Sequence, residues 1–283
     1  YFVYFSISIK TGAFILKKLN HLAEIYKSYD TFVVDLWGVM HNGVKLNSKA
    51  IEAISNLIQN EKKVVFLTNA PRPRSIVKKF LLNLGMKEDL LKNIVSSGEA
   101  SMKALEKERF GKLFFHLGPN KDNEIFFNIR KNRTTLDQCD FILCTGLVEN
   151  KEEDLDYHKS LLKNSISKKL ICTNPDLIVH KGEVAEYCAG TIAKLFESIG
   201  GEVVYFGKPY KEIYTMCFTE NERAIAIGDN LNTDIRGANN MNIDSIFICD
   251  GVHRNEFKDE DALEDLSIKY EVEANFYQPQ LIW

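Results

Sequence analysis

Nine short apolar, β-rich runs alternate with longer helical patterns along this chain. That alternation narrows the architecture to an α/β fold, a mostly parallel sheet with helices on both faces. The runs are Thr31 to Val34, Lys63 to Leu67, Asn93 to Ser96, Leu113 to Leu117, Phe141 to Thr145, Lys169 to Cys172, Glu202 to Phe206, Ala224 to Ile227 and Asp244 to Cys249. Helical patterns cover Ser48 to Asn60, Arg74 to Leu84, Glu99 to Glu108, Asn123 to Asn128, Asp154 to Asn164, Ala189 to Ile199, Lys211 to Thr219 and Leu231 to Met241. Nine strands exceed what one compact sheet needs, and 283 residues suffice for two units of ordinary size.

Lys plus Arg number 36 against 39 Asp plus Glu, a net charge of −3, and no run of five like charges occurs. This balance argues against a nucleic-acid or membrane partner. The six cysteines (Cys139, Cys144, Cys172, Cys188, Cys217, Cys249) form no C-x-x-C pair, which indicates neither a zinc cluster nor a disulfide framework and suits reduced thiols in a cytoplasmic protein. Residues 1–16 are fairly apolar but carry Lys10 and Gly12, lack a positive leader and are too short to span a bilayer.

Four strand ends carry chemistry. Asp35 closes Thr31-Phe32-Val33-Val34 and opens Asp35-Leu36-Trp37-Gly38-Val39-Met40-His41-Asn42-Gly43. A carboxylate there stands where open α/β sheets form their ligand crevice, and it can act as a nucleophile in covalent phosphoryl transfer. After the second run, Thr68-Asn69 offers a hydroxyl and exposed backbone N–H groups for a phosphate oxygen. Gly207-Lys208-Pro209 puts a cation behind another strand, suited to a phosphate dianion and to the nucleophile's charge. Gly228-Asp229 with Thr233-Asp234 ends a very apolar strand in two carboxylates, the hard oxygen ligands that Mg²⁺ demands. Taken singly, these are also capping Asp residues, a turn and a surface Lys before a helix-starting Pro. Their order and shared strand-end placement favour one site. The long gap between Thr68 and Lys208 holds a β/α set of its own, so residues 99–188 are expected to form an inserted lid between core segments 17–98 and 189–283.

With these residues the chain resembles the haloacid dehalogenase (HAD) superfamily, class IIA. The family's Asp-x-Asp-Gly-Val-Leu-x-x-Gly opening is echoed by Asp35 to Gly43, its second motif by Thr68-Asn69, its third by Gly207-Lys208-Pro209 and its fourth by Gly228-Asp229 and Thr233-Asp234. A Thr-Asn-Pro-Asp segment of the class's lid is matched by Thr173-Asn174-Pro175-Asp176, and the similarity of motif order spans about residues 30 to 250. The resemblance implies a Rossmann-like core with an inserted α/β cap of type C2, and Mg²⁺-dependent hydrolysis of a small phosphorylated metabolite. Carried over position by position, Asp35 is nucleophile and metal ligand, Thr68, Asn69 and Lys208 hold the phosphate, and Asp229 binds the metal. Asp234 is a ligand or its support, and Asp176 faces the site from the cap and takes part in substrate selection. Oligomeric state is not readable from the residues, although class IIA relatives are often homodimers through their caps.

The chain departs from the family at Trp37, where a second Asp usually protonates the leaving alcohol and then deprotonates the attacking water. The backbone carbonyl at this position, which also binds the metal, is retained with any residue. The indole is a donor only and has no proton to exchange at neutral pH. General acid–base help is worth roughly 10²–10⁴-fold, or about 3–5 kcal/mol of barrier. Three escapes stay open: a substrate with an acidic leaving group, such as an acyl or aryl phosphate; another group in the role, with His41 the nearest of suitable pKa; or a ring that lines a specificity pocket in a protein that does not turn over. The chain resembles a small branch of class IIA with an Asp-x-Trp-Gly-Val opening, among NagD-like and nitrophenylphosphatase-like proteins. Two readings follow: a phosphohydrolase, or a catalytically weak HAD-fold protein that binds a phosphorylated ligand or a partner.

Overall fold

A computed structural model of the chain describes residues 16–283 apart from Glu183, Lys258 and Glu260. The apolar N-terminal stretch therefore lies, up to position 15, outside the described residues. The first strands are β1 (Lys17–Lys18), β2 (Thr31–Val34), β3 (Lys63–Thr68) and β4 (Ile94–Ser96). Then come β5 (Phe114–Leu117), β6 (Phe141–Cys144) and β7 (Lys169–Cys172), followed by β8 (Ile178–Lys181), β9 (Val184–Tyr187) and β10 (Glu202–Tyr205). The last are β11 (Ala224–Gly228), β12 (Asp244–Ile248) and β13 (Phe276–Gln278).

Seven of these strands make one parallel sheet in the order β1-β13-β12-β11-β2-β3-β4. Its central strands β2 and β11 are buried along their whole length, which is why they read as unbroken apolar runs rather than as alternating ones. A second parallel sheet has the order β10-β7-β6-β5, and β8 and β9 form an antiparallel hairpin beside it. The helices follow from apolar spacing. In α1 (Ser48–Gln59) the buried Ala50, Ala53, Ile54 and Leu57 lie on one face, and the Asn47 side chain caps its start by accepting from the Lys49 and Ala50 amides. Next along the chain are α2 (Arg74–Asn83) and α3 (Ser97–Glu106), then α4 (Leu155–Leu162) and α5 (Ala189–Ser198).

The expected runs all appear as strands, within a residue or two of their predicted ends. Not anticipated are the edge strands β1 and β13, the β8–β9 hairpin and the helix Asp261–Tyr270. The pattern over Lys211 to Thr219 shortens to a helix at Lys211–Tyr214, and that over Leu231 to Met241 opens with a wide π turn, Leu231–Ile235. The smaller sheet also runs past the boundary expected at residue 188. Ala189, Ile192, Ala193 and Phe196 of α5 pack into the same core as Leu170 and Cys172 of β7, and β10 pairs with β7 in parallel. All six cysteines are buried and unpaired, and among the described residues no helix is long and apolar enough to cross a membrane.

Candidate active site

Register brings the strand ends together. Val34 pairs with Ile227 of β11 on one side and with Phe66 of β3 on the other, so Asp35, Asp229 and Thr68 leave the sheet at the same, C-terminal edge. Lys208 arrives after β10, on the connection that leads back from the smaller sheet. Its ammonium sits between two carboxylates, 2.5 Å from Asp35 Oδ1 and 2.7 Å from Asp234 Oδ1, with the lysine side chain only 3% exposed. Carboxylate oxygens of Asp35, Asp229 and Asp234 all lie within 4.8 Å of one another, and all three residues are buried.

The supports of these groups are local and polar. The Asn69 side chain accepts from the Lys208 amide at 2.7 Å and donates to the Lys208 carbonyl at 3.2 Å, fixing the lysine's backbone to the end of β3. It also donates to Asp176 Oδ1 at 3.0 Å, which ties the Thr-Asn-Pro-Asp loop to the same point. Asp229 Oδ2 accepts from the Val252 amide at 2.7 Å, and Asp234 Oδ2 from the Asn230 amide at 3.1 Å. The Thr68 hydroxyl accepts from the Ala70 amide at 3.1 Å.

Crowding like charges in a buried place has the expected electrostatic result. Burial pushes the Asp35 carboxyl well above its ordinary range; Lys208 opposes this, while Asp234 and Asp229 add to it. Burial, with Asp234 next, pushes Asp229 up to about 8. For Lys208 burial favours the neutral form, but Asp234, Asp35 and Asp176 outweigh it and hold the ammonium well above its usual value. The cluster thus holds more acidic groups than one lysine neutralises. A hard divalent cation suits such a donor set of three converging carboxylates.

These residues line a cavity of about 90 Å³ with Trp37, Thr68, Asn69 and Asp176. The geometry does not bring His41 to it. That side chain is 4% exposed and packs beside Trp37 and Phe80, ring centroids 5.0 and 5.4 Å away, with Nδ1 accepting from the Gly43 amide at 3.0 Å. Burial drives its pKa down to about 4, and the ring is not among the residues that line the cavity. Trp37 does line the cavity, and its Nε1–H donates to the His180 carbonyl on the hairpin at 2.8 Å.

Sequence reasoning missed the hairpin's Ile178, Val179 and His180, and also Asp250 and Arg254, all of which border the cavity. Asp250 and Arg254 had a signal: they follow β12, another apolar run that ends at the same edge of the parallel sheet.

Two family profiles match the chain: one described as haloacid dehalogenase-like hydrolase over residues 32–129 and a second HAD-hydrolase-like profile over residues 205–270. The 5'-nucleotidase YutF of Bacillus subtilis is 22% identical over 248 residues, covering 83% of this chain and 93% of that protein. Phosphoglycolate phosphatase 2 of Arabidopsis thaliana is 25% identical over 264 residues, covering 82% and 87%. Among solved structures, a haloacid dehalogenase-like hydrolase from Brucella suis 1330 superposes with a TM-score of 0.82 at 26% identity, over 93% of this chain and 99% of that one. With the parallel sheet, the strand-end acids and these profiles in agreement, the chain belongs to the haloacid dehalogenase-like hydrolases, in their class IIA, NagD-like branch.

Proposed function

We propose that this HAD hydrolase is a Mg²⁺-dependent phosphohydrolase that acts on a small phosphorylated metabolite through an aspartyl-phosphate on Asp35. The observation that carries this reading is the buried Lys208 ammonium held between Asp35 and Asp234 at the sheet's C-terminal edge. A protein that only bound its ligand would have no need of a buried carboxylate poised beside that cation. The relatives named above are a nucleotidase and a phosphatase, which supports a phosphate ester or anhydride as the bond cleaved.

In this reading an Asp35 oxygen attacks phosphorus, the bond to the leaving oxygen breaks, and the leaving group departs with its electron pair. Thr68, Asn69 and Lys208 hold the non-bridging oxygens and offset charge that builds on them. Water then attacks the aspartyl-phosphate, releasing inorganic phosphate and regenerating Asp35. Asp35, Asp229, Asp234 and the Trp37 backbone carbonyl would hold Mg²⁺. When bound, the ion would neutralise part of the charge that the carboxylates and phosphate bring together. Asp176, bonded to Asn69, would sense the substrate from the lid side.

The lid itself we assign to the segment that carries the smaller sheet and the hairpin. Its two crossings to the core meet at Ser97, whose Oγ lies 2.5 Å from the Thr173 carbonyl and also contacts the Phe206 carbonyl, so we place the lid's ends near residues 98 and 206. The test of the function is direct. Purified protein with Mg²⁺ is expected to hydrolyse p-nitrophenyl phosphate or acetyl phosphate, and Asp35→Asn to reduce this to background. Undiminished activity in the Asn variant would remove the covalent mechanism.

A further inference from the structure

The half-buried indole of Trp37 touches both the core and the hairpin. Its Nε1–H donates to the His180 carbonyl in β8 at 2.8 Å. Its ring lies parallel to Phe80 of α2, centroids 6.5 Å apart at 3°, and meets His41 edge-on. Gly43 passes so close beneath it that a Cβ there would come within 2.6 Å of the ring. Two residues past His180, the Gly182 amide donates to the Asn42 carbonyl at 3.0 Å, a second bond between the hairpin and the same core loop. The hairpin's Ile178, Val179 and His180 thereby roof the cavity.

We propose that Trp37 is a positioning residue that docks the β8–β9 hairpin on the core, and that the docked hairpin restricts the site to small phosphorylated substrates. The second clause rests on the phosphohydrolase reading above; the first does not. A carboxylate at position 37 could not make the first contact, because an ionised carboxylate only accepts and the partner is a carbonyl oxygen. An indole reaches over Gly43 and donates. The cavity at the acidic cluster, about 90 Å³, is well below the roughly 300–1,000 Å³ of pockets that hold drug-sized ligands. On that volume a phosphoryl group with a few further heavy atoms is expected to be taken with the hairpin in place, and a nucleotide to require it lifted.

Two measurements separate the parts of the proposal. Amide hydrogen exchange reads docking without any substrate, because the Gly182 N–H is itself one of the docking bonds. In Trp37→Phe, which keeps a ring and loses the N–H, and in Trp37→Ala, Gly182 and Val179 are expected to exchange roughly tenfold faster or more, the worth of about one hydrogen bond. Amides of β11 serve as the control for an intact core. Unchanged Gly182 exchange in both variants, with β11 equally unchanged, would overturn the docking role.

The second measurement compares kcat/KM for acetyl phosphate and for a nucleoside monophosphate in the same proteins. Trp37→Ala is expected to shift the ratio at least several-fold toward the nucleotide, mainly through KM. An unchanged ratio would overturn size restriction. Absence of hydrolysis for every phosphate tested would instead count against the phosphohydrolase reading and leave the exchange result standing.

Discussion

Gly38 has φ +88°, and a Cβ on it would meet Asp229 Oδ2 at 2.0 Å. A Cβ on Gly251 would likewise meet that oxygen at 2.1 Å. The acid is therefore gripped by backbone from two loops, and any larger residue at either glycine would push it out of the cluster. His41 shows the opposite case, a residue suited to catalysis by type but packed outside the cavity lining. Its pKa of about 4 lies below the ordinary 6.5 because burial disfavours the imidazolium. The unfolded chain thus takes up a proton below pH 6.5 that the folded one refuses until about pH 4. Stability from this group is full above 6.5 and is lost as pH falls through that window, by up to about 3 kcal/mol. We predict that His41→Asn reduces the loss of unfolding free energy between pH 7 and 4.5 by about 2 kcal/mol, measured by urea titration, and leaves kcat within a few-fold. An identical pH dependence in variant and wild type would contradict a buried neutral imidazole.

At the scale of elements, the helix α3 begins almost in contact with the loop that follows β3. A Cβ on Gly98 would lie 2.3 Å from the carbonyl carbon of Pro71 and from the Arg72 amide nitrogen, both backbone atoms with little room to move. Gly98→Ala is predicted to cost about 1–3 kcal/mol of stability and to raise KM, since the displaced loop also positions Thr68 and Asn69. Thermal unfolding and steady-state kinetics would show both effects; wild-type behaviour in each would mean that the loop yields freely. The central strands were legible in the sequence because parallel strands covered on both faces must be apolar throughout, as in Phe32-Val33-Val34 and Ile225-Ala226-Ile227. The hairpin was not, because all four residues of β9 are exposed and no burial imposes a pattern on them. Gly182, at φ +62° between two short β-prone runs, was its one local signal. The part played by Trp37 was hidden for a different reason. Its partner lies 143 residues away and is a backbone carbonyl, which any residue at position 180 would supply.

Across the whole molecule, bonds from three parts of the lid segment converge on core loops: Trp37 to His180, Asn69 to Asp176, and Arg72 to the buried Asp122 at 2.9 Å. That segment is therefore seated on the loops that carry Asp35, Thr68 and Asn69, which in the function proposed above would be a closed lid. In that reading closure would exclude water and strengthen the electrostatics inside, and with Trp37 in place of an acid/base the hydrolysis of the aspartyl-phosphate is expected to be the slow step. Formation of the aspartyl-phosphate from an aryl phosphate needs no proton donor, whereas its hydrolysis needs a group to take a proton from water. The most direct test is a rapid-mixing assay with p-nitrophenyl phosphate and Mg²⁺. A nucleophilic Asp35 without a base beside it predicts a burst of nitrophenolate close to one equivalent per site, then a slower steady rate, with the burst absent in Asp35→Asn. Linear release from the first turnover, at a rate that Asp35→Asn leaves unaltered, would contradict the account.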